Sequence, residues 1–204
     1  VLDLGRRIQQ DQERAMKRID TIAAEFSAVD SRTFVEEVSN SYFKHAAGGY
    51  DDGHPDLYYD CAQAWRSLLG NLSASGIDLR RHRVLDIGSG TGFVGRQLHE
   101  GSIEIAAYVG VEPSSDMNRR AAQNLAGTRW PVRLHESMFP HTHELTELLR
   151  EVRSPRIVTL NSVLHHIVWW EEFLPHLEQS LAPGDLFIVA HEPNRSFWID
   201  ECRR

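Results

Sequence analysis

The chain has 204 residues, of which 41% are hydrophobic and 25% are charged, a composition typical of one globular domain with at most a small extension. Its formal net charge of −7 argues against a nucleic-acid-binding protein, which usually presents a basic face. No run of about 18 apolar residues occurs, so no membrane span is predicted. Two widely separated cysteines, Cys61 and Cys202, and an N-terminus unlike a signal peptide favour reduced thiols and a cytoplasmic location.

Residues 1–75 are predicted to form an N-terminal helical cap. Apolar residues recur there at three- and four-residue steps, which indicates amphipathic helices. Asp30 and Ser31 end the first helix and cap the second. A glycine-rich loop over residues 46–54 separates the second helix from a third one. The first stripe consists of Ala15, Ile19, Ile22, Ala23 and Phe26.

Residues 76–204 are predicted to form a core in which strands alternate with helices. This pattern indicates an α/β fold: a Rossmann-like, doubly wound, mainly parallel sheet with helices on both faces. Ser114 is placed to cap one of the helices, and Pro183-Gly184 ends the last one. The predicted strands are 83–87, 107–112, 131–135, 156–161 and 185–190.

A glycine-rich loop follows the first predicted strand, in the segment Val84-Leu85-Asp86-Ile87-Gly88-Ser89-Gly90-Thr91-Gly92. Ligands of open parallel sheets bind outside the carboxyl ends of the strands, so this loop is the expected site. Three glycines at alternate positions let the backbone pass close to a ligand. The next helix begins at the loop, with its positive dipole end towards the site.

Two acids indicate what the loop binds. Glu112 ends the second strand, 20 residues after Gly92, where an acid is placed to accept both hydroxyls of a ribose. The simpler interpretation is a solvated acid at a strand end. Gly90 to Gly95 also match G-x-G-x-x-G, the fingerprint of dinucleotide sites. Asp86 opposes that interpretation, because a carboxylate beside the loop would repel a pyrophosphate and attract a cationic ligand.

With its neighbours in order, the loop resembles the first motif of class I S-adenosylmethionine-dependent methyltransferases. The resemblance covers about residues 80–195 and looks closest to the small-molecule branch that includes ubiquinone and menaquinone biosynthesis methyltransferases. It implies S-adenosylmethionine (SAM) as cofactor, S-adenosylhomocysteine (SAH) as product, and transfer to an O, N or C atom of a small-molecule acceptor. The later motifs are Val109–Pro113, His135–Pro140, Val158–Ile167 and Leu181–Val189.

The resemblance also implies site residues. Glu136 faces the adenine amino group, and Tyr50 or Tyr42 shuts the site against water. Asn161, at the end of the fourth strand, is a candidate to bind the ammonium of the methionine portion through its side chain or its backbone carbonyl. Ordinary core packing is the alternative for the two tyrosines. The expected cofactor-binding set is Asp86, Gly88, Ser89, Gly90, Thr91, Gly92, Glu112, Pro113, Met117, Glu136, Ser137, Met138, Asn161 and Tyr50.

Three residues are candidates for catalysis: His165 and His166 after the fourth strand, and Glu192 after the fifth. Methyl transfer from a sulfonium mainly requires alignment, and a general base is needed only where the acceptor keeps its proton. The simpler interpretation is that one imidazole caps or packs at the start of the next helix, and that Glu192 is a strand-end acid satisfied by nearby backbone or by Arg195. A nicotinamide-dependent oxidoreductase and a non-catalytic cofactor-binding partner module stay open as alternatives.

Two departures from the family pattern stand out. The turn before the fifth strand has Asp185 where the family commonly has a second glycine. The family sheet ends with an antiparallel strand pair, whereas this chain ends at Arg204, so we expect a truncated or abridged core without that pair. His141 and His143 lack the further ligands that a zinc site needs, so no metal is predicted.

Overall fold

The computed structural model describes residues 17–18, 20–25, 30–53, 57–138, 142–167 and 169–192. The chain separates into two compact units, residues 1–43 and residues 44–204. The predicted division at residue 75 stays a prediction, and the contacts group residues 44–75 with the later part of the chain. The side chains of His141 and His143 lie outside the described residues, as do Ala15, Ile19, Phe26 and Cys202.

In the first unit, residues 20–25 are helical, and helix α1 begins at Ser31 and continues to Ala46 in the second unit. The predicted cap is present, because one Asp30 carboxylate oxygen accepts the Thr33 N–H at 3.1 Å. The other oxygen accepts the Thr33 hydroxyl at 2.7 Å. Tyr42, near the end of this unit, is 61% exposed.

The second unit begins with short helical segments before its sheet. Helix α2 spans Tyr50–Gly53, a π-helical turn spans Leu57–Cys61, and helix α3 spans Ala62–Ala74. α3 is the predicted amphipathic helix, and its buried side includes Trp65 and Leu69.

The sheet has five strands in the order β3-β2-β1-β4-β5, and every pair among the described residues is parallel. The predicted doubly wound α/β core is therefore confirmed, with strand bounds within one residue of those expected. The strands are β1 Arg83–Ile87, β2 Ala107–Glu112, β3 Val132–Glu136, β4 Arg156–Asn161 and β5 Leu186–Ala190. Helices α4 Phe93–Glu100, α5 Ser115–Asn124, α6 Thr142–Glu151 and α7 Trp170–Ser180 connect them.

Alternating side chains of β1 enter two apolar clusters on opposite faces of the sheet. Leu85 and Ile87 pack with α6 and α7, whereas Val84 packs with α3 and α4. All three are at most 1% exposed. Burial on both faces is what a parallel sheet covered by crossover helices requires. The central position of β1 places the glycine loop in the middle of the carboxyl edge.

Within the described ranges, no helix is both long enough and apolar enough to cross a membrane.

Asp185, which stands where the family commonly has a glycine, forms a buried ion pair with Arg156. The pair joins the first residue of β4 to the turn before β5. The Asp185 carboxylate accepts the Arg156 Nε–H at 2.7 Å, and the Asp185 side chain is 0% exposed. It also accepts N–H groups of Arg156 at 3.0 Å and Ala182 at 2.9 Å. The guanidinium donates further to the carbonyls of Leu149 and Ser180, at the ends of α6 and α7. Asp185 therefore has a structural role that a glycine would not supply.

Candidate functional site

The glycine loop joins β1 to α4, and its three glycines have positive φ angles of 70°, 52° and 83°. The N–H groups of Gly88 and Ser89 donate to the Val111 carbonyl at 2.8 and 3.0 Å, which fixes the loop against the end of β2. A Cβ built on Gly90 would meet no atom within 4 Å. The backbone at Gly90 therefore faces open space, as a loop that receives a ligand requires. The Ser89 hydroxyl is buried and makes no hydrogen bond within the described part of the chain.

The Glu112 side chain contacts the glycine loop. Its carboxylate accepts the Gly90 N–H at 3.1 Å and the Ser114 N–H at 2.9 Å, and the residue is 6% exposed. A carboxylate has about four lone-pair sites, so about two remain for a diol. Burial raises the pKa of Glu112 to about 7, partly offset by the two N–H groups. The interpretation as a solvated strand-end acid does not fit this burial.

The ends of β2 and β3 place the remaining residues of the predicted adenosine side. Ser114 caps α5 by accepting the Met117 N–H at 3.3 Å, and Met117 is 1% exposed. Pro113 is buried, Ser137 and Met138 are half-buried, and Glu136 is exposed. Glu136 is also the register partner of Glu112. The two acids therefore end neighbouring strands at the same edge.

Asp86 lies within the sheet face rather than at its edge. One carboxylate oxygen accepts the Tyr108 hydroxyl at 2.5 Å and the other accepts the Thr159 hydroxyl at 2.6 Å. Asp86 is 1% exposed, and burial raises its pKa to about 6, partly offset by the two hydroxyls. Its predicted contact with the cofactor stays a prediction. The contacts that the structure does show are with the two strands beside β1.

Asp51, which sequence analysis did not single out, is a partner of the loop. Its carboxylate accepts the Thr91 hydroxyl at 2.6 Å. The Nη1 of Arg96 and the Nε of Arg120 lie 4.0 and 3.9 Å from the same carboxylate. Tyr50, the preceding residue, is half-buried against the core cluster of α3 and α4. The predicted cover residue is thus placed one position from a side chain that binds the loop.

Asn161 ends β4 and is held by α3. Its side-chain oxygen accepts the Trp65 indole N–H at 2.8 Å and the Cys61 thiol at 3.4 Å. Cys61 and Trp65 are 4% and 2% exposed, so the link is part of the core. Binding of an ammonium group by the side chain or the backbone carbonyl of Asn161 stays a prediction, and the carboxamide oxygen already has two donors.

The three predicted catalytic residues lie together at the ends of β4 and β5. The Glu192 carboxylate lies 2.7 Å from the His165 Nδ1. It also accepts hydrogen bonds from the backbone N–H groups of Val163 and Leu164, at 2.7 and 2.8 Å. Burial opposes ionisation of Glu192, but these donors outweigh it and lower its pKa. The ring centroids of His165 and His166 are 4.0 Å apart. Burial and the neighbouring His165 lower the pKa of His166 to about 4, so His166 is neutral at physiological pH.

The buried charge of Glu112 predicts a pH-dependent difference between wild type and Glu112→Gln. Because the folded-state pKa of Glu112 is raised, its favourable contribution is present at low pH and is lost as the pH rises from about 4.5 to about 7. The raised pKa of Asp86 also makes the folded state less stable as the pH rises, whereas the lowered pKa of His166 makes it more stable as the pH rises. Both groups are the same in wild type and in Glu112→Gln. We therefore expect the stability of Glu112→Gln to rise relative to wild type across this interval, measured by urea unfolding. A constant difference at all pH values would contradict a buried, ionisable Glu112.

The parallel sheet order, the glycine loop and Glu112 together define a Rossmann-like nucleotide-type site at the carboxyl edge. A family model described as a methyltransferase domain matches residues 56–202, well over half of the chain. The chain therefore belongs to this methyltransferase family. A comparison with curated proteins finds no match.

Solved structures share the fold at low sequence identity. DhpI in complex with SAH has a TM-score of 0.52 and 22% identity, over 76% of this chain and 68% of DhpI. A SAM-dependent methyltransferase from Leishmania major has a TM-score of 0.55 and 18% identity, over 82% of this chain and 65% of that protein. The plantazolicin methyltransferase BpumL in complex with SAH has a TM-score of 0.56 and 13% identity, over 93% of this chain and 63% of BpumL. The chain spans less than two thirds of the last two proteins.

The predicted enzyme class, a SAM-dependent methyltransferase of the class I fold, is thus confirmed, and SAM as the cofactor with it. The particular likeness to ubiquinone and menaquinone enzymes stays a prediction, as do the roles of individual residues and the cytoplasmic location. The described residues contain five parallel strands and no antiparallel pair.

Proposed function

We propose that this protein transfers a methyl group from SAM to an O, N or C atom of a small-molecule acceptor. When bound, SAM supplies an activated methyl group on a sulfonium. The observation that carries the proposal is the meeting of Glu112 with the Gly90 N–H at 3.1 Å, beside loop backbone that faces open space. A diol-binding acid and an exposed glycine loop are then adjacent, as an adenosyl group requires.

The charges around the loop favour a cation over a pyrophosphate. The carboxylates of Glu112 and Asp51 both contact loop residues, at Gly90 and Thr91. Asp86 lies behind the loop in the sheet. The guanidinium groups of Arg96 and Arg120 lie 4.0 and 3.9 Å from the Asp51 carboxylate. Opposite charges attract and like charges repel, so a sulfonium suits this site better than two phosphates.

The acceptor side is supported by the residues that end β4 and β5. The His165 imidazole is oriented by the Glu192 carboxylate at 2.7 Å, which is how proteins commonly fix an imidazole for proton transfer. DhpI, a protein of the same fold, has been solved with SAM and HEP together, so this architecture holds a cofactor and a second ligand. A small molecule is accordingly the acceptor class that we propose here.

Glu112→Ala tests the cofactor site. If Glu112 accepts the ribose hydroxyls, removing its carboxylate weakens SAM and SAH binding by about 1–3 kcal/mol, or about 5- to 150-fold. Isothermal titration calorimetry on the full chain measures this directly. Glu104→Ala is the matched control, because Glu104 is a half-exposed acid paired with Arg129 at 3.6 Å, away from the loop.

Binding of NADH in place of SAM by wild type would overturn the proposal and favour the oxidoreductase alternative. Equal SAM affinity of Glu112→Ala and Glu104→Ala would contradict the proposed role of Glu112 in binding the ribose hydroxyls. If SAM binds but no methyl is transferred to a broad panel of phenols, thiols and amines, the non-catalytic module becomes the better interpretation.

A further inference from the structure

The glycine loop, residues 88–92, has two side chains that can form hydrogen bonds, those of Ser89 and Thr91. The Ser89 hydroxyl is buried without a partner in the described part of the chain. The Thr91 hydroxyl donates to the Asp51 carboxylate at 2.6 Å. Thr91 is 3% exposed, so little water competes for this bond. Among the described residues, Asp51 is therefore the one hydrogen-bonding partner of a loop side chain.

Thr91 is held from two directions. Its hydroxyl is bound by Asp51, which lies on α2. Its carbonyl accepts the side-chain amide of Asn124, the last residue of α5, at 2.8 Å. The first half of the loop is fixed differently, by backbone hydrogen bonds to the end of β2. The second half thus depends on side chains from two other elements, and α2 is the one that precedes the sheet and its crossover helices.

The composition of the loop explains why it needs such an anchor. Three of its five residues are glycines, and glycine loses more conformational freedom on folding than any other residue. Gly90, whose N–H donates to the Glu112 carboxylate at 3.1 Å, directly precedes Thr91. A loop released at Thr91 would regain that freedom, and the Gly90 N–H would no longer be fixed beside Glu112.

The hydrogen bond to Thr91 is distinct from the charges around Asp51. The guanidinium groups of Arg96 and Arg120 lie 4.0 and 3.9 Å from the other Asp51 carboxylate oxygen, which is beyond hydrogen-bond distance. Both arginine side chains are partly exposed, and ion pairs of this kind contribute little. Among the described residues, the Thr91 hydroxyl is the one hydrogen-bond donor to this carboxylate. Substitutions can therefore separate the hydrogen bond from the charge.

We propose that Asp51 is a positioning residue for the cofactor loop: it acts through the Thr91 hydroxyl to hold Gly90 beside Glu112, and it thereby sets the affinity for both SAM and SAH. This inference rests on the proposed function. SAM and SAH share the adenosyl and amino-acid portions, so a loop held in the binding conformation favours both ligands. Asp51 does so without having to contact either of them.

Asp51→Ala is expected to weaken SAH binding by about 10- to 100-fold, measured by isothermal titration calorimetry on the full chain. The apparent affinity falls by the fraction of molecules whose loop is in the binding conformation, and a hydrogen bond to a charged group limits that loss. Asp51→Asn keeps an acceptor oxygen and should recover most of the affinity. Asp52→Ala is the matched control, because Asp52 is an exposed acid on the same short helix without a hydrogen bond or ion pair to any described residue.

Two comparisons test whether Asp51 acts through Thr91. Thr91→Val removes the hydroxyl and keeps the shape of the side chain, and the double variant with Asp51→Ala should bind SAH no more weakly than either single variant. Additive losses would overturn the inference, because the two side chains would then act separately. SAH lacks the sulfonium, so a loss in Asp51→Ala that affects SAM but not SAH would assign the effect to charge and would also overturn it. Equal losses in Asp51→Asn and Asp51→Ala would do the same.

Amide hydrogen exchange measures the anchor without any ligand. In the full chain, we expect residues 88–92 to exchange faster in Asp51→Ala and Thr91→Val than in wild type, and at the wild-type rate in Asp52→Ala. Unchanged exchange in the loop, or faster exchange spread over the whole sheet, would overturn the inference. If wild type fails to bind SAM and SAH, the proposed function fails, whereas the exchange rates still decide whether Asp51 holds the loop.

Discussion

Asp185→Ala is expected to destabilise the fold by about 3–5 kcal/mol, because it leaves the Arg156 guanidinium buried without its counter-charge. Arg156 is 6% exposed, and the Asp185 side chain is 0% exposed. Two main-chain N–H groups, of Arg156 and Ala182, also lose their acceptor. Urea unfolding of the full chain, with midpoint and slope compared with those of wild type, measures the loss.

The control is Asp116→Ala, whose partner Arg119 is 67% exposed and lies 2.5 Å away. The Asp116 side chain itself is 28% exposed, and a surface pair of this kind contributes about 0–1 kcal/mol. Burial tends to raise the pKa of Asp185, but hydrogen bonds from Ser154, Ala182 and Arg156 lower it overall. Its contribution is therefore present above about pH 4 and is lost as the pH falls through the folded-state pKa. A loss no greater than that of Asp116→Ala would contradict the structural role.

Gly88→Ala is expected to destabilise the fold by about 2–5 kcal/mol, the sum of a left-handed backbone cost and an overpacking cost. Gly88 has a φ of 70°, and an added Cβ would overlap the Val163 side chain, which is 3% exposed. Thermal and urea unfolding measure the effect. Val163→Ala in the same chain should recover part of the loss, because it removes the overlapping methyl groups.

Gly90→Ala is the matched variant one step along the loop. Its φ is 52°, but an added Cβ would meet no atom within 4 Å, so only the backbone cost of about 1–2 kcal/mol applies. The methyl group enters the space in front of the loop, and we expect SAM affinity to fall more than stability does. Equal destabilisation by Gly88→Ala and Gly90→Ala would show that Val163 moves aside without cost.

The fold and the outline of the site follow from local sequence signals. Short apolar runs between helical segments predicted all five strands, and Ser114 and Asp30 cap the helices that their positions indicated. The position of Glu112 at the same edge of the sheet as the glycine loop was also predictable, because parallel strands end at one edge.

The contacts of Asp86, Asp51 and Asn161 were not predictable in the same way. Which hydroxyls meet Asp86 depends on the sheet order, which places β2 and β4 on either side of β1. Asp51 and Asn161 reach partners 40 and 96 residues away, at Thr91 and Trp65, and no short motif encodes such pairs. A positive φ at Ser162 is equally hidden, since serine gives no sign of the conformation that glycine would.

The bonds of Asp86 to Tyr108 and Thr159 have a consequence for how the chain finds its native strand pairing. Side chains alternate between the two faces of a strand, so a slip of β1 by one residue would turn the carboxylate into the apolar cluster around Leu85 and Ile87. A different neighbour for β1 would separate it from one of its two hydroxyl donors. The slip leaves a buried acid without partners and the wrong neighbour leaves it with one, and the loss of even one buried hydrogen bond to a carboxylate costs more than a missing methyl contact. One polar residue at the centre of the sheet thus discriminates the correct strand order from its closest competitors.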